Sequence, residues 1–140
     1  MTRKATDQLL DELFDVSVRL FSELNQRNLV NFKNPTPESK AYLDTYQELT
    51  FHHCFITVTT QGGLELSDSD YSTAVETLDA GRKAYWNLHA ATLTQEELES
   101  TLKQGLRDNS EAVRDGNEAA GAYFTAKVLT YAEEWTRRYA

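Results

Sequence analysis

The chain has 140 residues and a single cysteine, so it is as long as one ordinary domain and cannot close an internal disulfide. It can bury roughly two-thirds of the surface that its unfolded form exposes, and needs no metal to fold. Its 22 acidic and 14 basic residues give a net charge of −8, with the acidic residues divided evenly between the two halves, which disfavours nucleic acid and anionic lipid as general partners. The longest apolar runs are far short of the roughly 20 residues that cross a bilayer. With no cleavable leader pattern at the start, a soluble cytoplasmic protein is expected, in the host cytoplasm if the source is viral.

The first element is an amphipathic helix. In "ATDQLLDELFDVSVRLFSELNQR" the residues Leu9, Leu13, Val16, Leu20 and Leu24 recur at helical spacing, and Leu10, Phe14 and Phe21 widen the stripe. Asp15 and Arg19 form an i,i+4 pair on the opposite side. The period is lost over 25–34. Thr36, Pro37 and Glu38 then supply an N-cap, a first helical position and an acidic first turn, so a second helix is expected.

Gly62 and Gly63 end that helix or turn a short β-hairpin near 55–67, because "FITVTT" is rich in β-branched residues. Ser67 with Asp70 resembles a capping box, flanked by Leu66 and Tyr71 as a hydrophobic staple, and starts a third helix that reaches about Ala91. Thr94 and Glu97, between Leu93 and Leu98, start a fourth. The repeat "RDNSEAV", "RDGNEAA" stacks Leu106, Val113 and Ala120, but Asp, Asn and Gly compete with helix there. A break is expected at 107–109 or at 115–117. A last helix aligns Phe124, Val128, Tyr131, Trp135 and Tyr139, with Arg137 and Arg138 at its C-terminal end. The expected architecture is all-α, a four- or five-helix bundle in a single helical domain over 1–140.

The chemistry is concentrated in "FHHCF", residues 51–55, which holds two of the three histidines and the cysteine. On a helix, neighbouring side chains are about 100° apart, so His52, His53 and Cys54 point to three sides and cannot bind one ion together. Cys54 is expected to be a small buried hydrophobe. In a strand His52 and Cys54 would share a face, and with Glu48, four residues before His52, they are the weak metal candidates. No metal or other cofactor is expected. The second half of this helix is apolar on two sides, as in a central bundle helix or one facing a dimer partner.

Tyr71, Val75, Leu78, Arg82, Tyr85 and His89 share one face of the third helix, which places a guanidinium within an apolar stripe. "RKAYWNLH", Arg82 to His89, resembles the R-x(4 to 6)-H motif of HEPN ribonucleases. That resemblance implies a helical dimer that cleaves RNA with Arg82 and His89 as catalytic residues. Lys83 stands where that family often has a polar residue. "TRKATDQLLDELFDVSVRLF", residues 2–21, resembles the start of small terminase subunits of tailed phages, which implies an oligomeric ring engaged in DNA packaging. No DNA-recognition segment follows in "NLVNFKNPTPESKAYL".

No phosphate loop, HExxH, CxxC or nucleophile elbow is present. Fifteen aromatic residues set on helix faces, with an arginine inside an apolar stripe, resemble the mixture found at interfaces. The expectation is a non-enzymatic acidic interaction module, prokaryotic or viral, that acts through a protein partner or as a homo-oligomer, without a membrane. Its interface candidates are Tyr42, Tyr46, His53, Arg82, Tyr85, Trp86, Tyr131 and Trp135. An adaptor, a regulator or an inhibitor would each fit this description.

Overall fold

A computed structural model describes residues 3–139. Among them there are five helices and no strand: α1 (Arg3–Gln26), α2 (Pro37–Gln61), α3 (Asp68–Thr92), α4 (Gln95–Arg114) and α5 (Glu118–Tyr139). No helix of the described residues is long and apolar enough to cross a membrane. Packing divides the chain into two compact units, Met1–Tyr85 and Trp86–Ala140, so α3 contributes to both.

In the first unit α1 packs on α2. The helical period of α1 is obeyed, since Leu9, Leu13, Val16, Leu20 and Leu24 are all buried. From α2 the core receives Leu43, Leu49 and Ile56, and from α3 Ala74 and Leu78. Gly81 lets α3 approach closely: a Cβ there would lie 2.7 and 2.8 Å from the two Leu49 methyls and 3.0 Å from Val16 Cγ1. The start of α2 is a capping box, in which Thr36 Oγ1 accepts from the Ser39 amide and Ser39 Oγ accepts from the Thr36 amide.

The hairpin near 55–67 does not form. Helix α2 continues through the β-branched run to Gln61 and ends at Gly62 and Gly63, the latter at φ +80°. Two threonines are accommodated by turning inward onto the helix, Thr57 Oγ1 donating to the His53 carbonyl and Thr60 Oγ1 to that of Ile56. Ser67 Oγ accepts from the Asp70 amide and opens α3.

In the second unit α4 packs on α5. Thr94 and Glu97 form the reciprocal box at the start of α4. The acceptor role toward the Thr94 amide holds the Glu97 carboxyl below the usual carboxylate range. Of the two expected breaks, the one at 115–117 occurs: Gly116 adopts φ +70° and Asn117 Oδ1 accepts from the Ala120 amide. The expected seam does not form, because Leu106 and Val113 are exposed, whereas Leu98, Gly105 and Ala112 are buried. A Cβ at Gly105 would lie 2.6 Å from Val128 Cγ2, so the missing side chain is what brings α4 against α5. Asn109 also faces α5, accepting from Thr125.

Arg138 acts across the second unit as well as at its own helix end. Its guanidinium donates to the Ala90 and Leu93 carbonyls at the end of α3, at 3.1 and 2.7 Å, and to Glu134 at 3.1 Å. Glu134, buried, also accepts from Arg137 at 2.6 Å. Carbonyls left over at a helix C-terminus thus receive a charged donor held in place by a carboxylate.

Candidate functional site

The "FHHCF" segment lies in the second half of α2, where the side chains radiate as helical spacing requires. His53 points toward α1, its ring 6.0 Å from that of Phe14. His52 is set against Glu48 at 3.7 Å and edge-on to Phe51. Cys54 is exposed rather than buried, because at about 100° per residue it falls on the side opposite Leu49 and Ile56. Glu48, His52 and Cys54 do not converge, and among the described residues no group of three His, Cys, Asp or Glu side chains could hold a metal ion.

What this geometry brings to the surface is apolar. Phe51 is 60% exposed, Phe55 40% and Val58 65%, and exposed Cys54 lies among them on the same face. Phe51 and Phe55 stack with ring centroids 6.3 Å apart. On the opposite side of α2, Leu49 and Ile56 are at most 1% exposed. The helix is therefore apolar on two faces, one of which packs in the first unit and the other meets solvent.

The sequence carries a signal for this surface that apolar periodicity misses. From Leu49 to Leu64 there is no Asp, Glu, Lys or Arg, although 26% of the chain is charged. A helix face finished for water is ordinarily set with charged side chains, as on α1, where Asp15 and Arg19 pair at 2.9 Å. Here Gln47 and Gln61 flank the row, and charge resumes only at Glu48, which lies against His52.

A second apolar surface adjoins it in the groove between α1 and α2. Phe14, Ser17, Val18, Phe21, Tyr46, Thr50 and His53 line a groove of about 320 Å³. Phe14 and Val18 are exposed, and Tyr46 lies between Phe21 and Phe32 at 5.4 and 6.0 Å. Tyr42, half-buried, lies one turn earlier on α2.

The remaining candidates each have their own surroundings. Arg82 is half-buried and pairs with Glu12 of α1 at 3.5 Å and with Asp79 at 3.7 Å. Tyr85 hydrogen bonds to Arg19, which with Asp15 raises the guanidinium's proton affinity further. In the second unit Trp86 is buried edge-on to Tyr123, and Tyr131 is buried with its hydroxyl 2.8 Å from His89 Nδ1. Trp135 packs on Tyr139 at 4.6 Å. Arg82 and His89 thus each have partners of their own.

Against known proteins, no family model, no curated protein and no solved structure matches this chain.

Proposed function

We propose that the chain is a non-enzymatic helical interaction module, an adaptor, regulator or inhibitor of prokaryotic or viral type, whose contact surface is the outer face of α2. The observation that supports this is the row Phe51, Cys54, Phe55 and Val58, exposed opposite the buried face of the same helix. Contiguous exposed apolar surface rimmed by polar residues is a feature of docking sites, and phenylalanine is enriched at interfaces. The acidic remainder of the surface keeps the module soluble and disfavours anionic partners.

The double variant Phe51→Glu, Val58→Glu tests the reading. Circular dichroism should show unchanged helix content, since both side chains point to solvent. Association into any larger species, read by light scattering and by crosslinking to other proteins, should be lost. Unchanged association would remove the outer face of α2 from the account.

The resemblances at 82–89 and 2–21 make different demands of the same preparation. A ribonuclease would cleave mixed RNA and lose that activity in Arg82→Ala and His89→Ala. A packaging subunit would scatter light as a large ring.

A further inference from the structure

The outer face of α2 is self-complementary, and we infer that its occupant is a second copy of this chain, packed antiparallel about a two-fold axis near Cys54 and Phe55. The inference rests on the contact-surface reading above and names the partner. Charge argues first. In a chain of net charge −8 two copies repel, unless they meet where neither carries charge, and Leu49–Leu64 is that stretch. Asp44, on the same face about two turns before Phe51, is already paired with Lys40 at 3.0 Å, and Glu48, at the Phe55 edge, lies against His52 at 3.7 Å. A basic partner would find no free carboxylate within the row.

Shape argues second. At about 100° per residue, Phe51 and Val58 lie within about 20° of each other along the centre of the face, with Cys54 and Phe55 about 50° to either side. Antiparallel pairing sets each Phe51 opposite the partner's Val58, a large side chain against a smaller one, at both ends of the contact. It sets the two Cys54 side chains near each other on one edge and the two Phe55 rings on the other. Parallel pairing would set Phe51 against Phe51 and leave Val58 opposite Val58. A two-fold contact is self-complementary in this sense by necessity.

Area argues third. Taking about 200 Å² for a phenylalanine, the exposed parts of the four side chains come to roughly 300–400 Å². A stable contact takes about 800 Å² from each partner, so the row supplies its apolar centre, at most about half of the area, and the flanks must supply the rest as a polar rim. Gln47 and Gln61 flank the row without charge, and Glu48 flanks it at the Phe55 edge.

Cys54 is the only cysteine, so it reports the contact directly. The wild-type chain should scatter light as a dimer at micromolar concentration, and a short bis-maleimide should join Cys54 to Cys54 in that dimer. Phe51→Glu and, separately, Val58→Glu should give monomers of unchanged helix content that no longer crosslink, whereas Leu129→Glu, at an exposed position on α5, should leave the dimer intact. Val58→Phe should weaken the dimer about tenfold by setting two phenylalanines face to face, and adding Phe51→Val should restore it. A monomer at every concentration, a dimer indifferent to both glutamates, or association that Val58→Phe leaves equal or tightens would overturn the inference. A monomer whose α2 face still binds a different protein would end the dimer while leaving the contact-surface reading in place.

Discussion

Helix α4 and the second half of α2 each bury one side against their own unit, yet their opposite faces could hardly differ more. In α4 the buried row is Leu98, Gly105 and Ala112, and eight of its 20 residues are charged, with Lys103 and Glu99 paired at 3.0 Å on the outside. Exposed Leu106 and Val113 are set among Arg107, Asp108, Glu111 and Arg114. In the second half of α2 the buried row is Leu49 and Ile56, and from Thr50 onward the outside carries no charge. Isolated apolar residues among charges are normal on a surface, whereas a contiguous uncharged row is not. The difference teaches that α4 is finished for water and the second half of α2 for contact.

Substitutions on the two sides of α2 should differ most. Leu49→Ala removes a fully buried side chain against Gly81 and should cost about 2–5 kcal/mol in denaturant unfolding. Gly81→Ala attacks the same contact from α3. The added methyl overlaps both Leu49 methyls, and even after the gain in helix propensity a net loss of about 1–2 kcal/mol is expected. If Gly81→Ala were stabilising, the close approach of α3 would be wrong.

At the start of α4, Thr94→Ala removes the side-chain acceptor for the Glu97 amide and should cost about 1 kcal/mol by thermal or denaturant unfolding. Because the folded-state Glu97 carboxyl sits below its ordinary range, this cap contributes above the unfolded pKa and is lost as pH falls through the lower folded value. The difference between wild type and Glu97→Gln should therefore shrink in acid. Val58→Ser, on the outer face of α2, should change the stability of the isolated chain by no more than about 0.5 kcal/mol, since nothing in the first unit covers it. A cost as large as that of Leu49→Ala would mean that Val58 is packed, and would break the comparison.

Much of the fold was legible in the residues. The α1 period named its five core positions, and the caps at Thr36, Ser67 and Thr94 placed three helix starts because each rests on local hydrogen bonds that sequence spacing alone specifies. The break at Asp115 to Asn117 follows from local backbone preference in the same way. The β-branched run after Phe55 misled because tertiary packing of Ile56 overrides a weak propensity. The candidate site was legible only in part. Periodicity shows that α2 is apolar on two sides, but not which side its own chain covers, so Cys54 read as core. The absence of charge from Leu49 to Leu64 was the better signal, because it reports what a surface avoids.

The central claim, that the outer face of α2 is a contact surface, is tested most directly by a photo-crosslinking side chain at position 58, compared with the same side chain at position 129 on α5. Both positions are exposed, Val58 at 65% and Leu129 at 60%, so solvent access alone does not separate them. On irradiation of the native protein, position 58 should give a discrete covalent adduct of defined mass and position 129 should give none. Equal yields at the two positions, or no adduct at 58, would contradict the account.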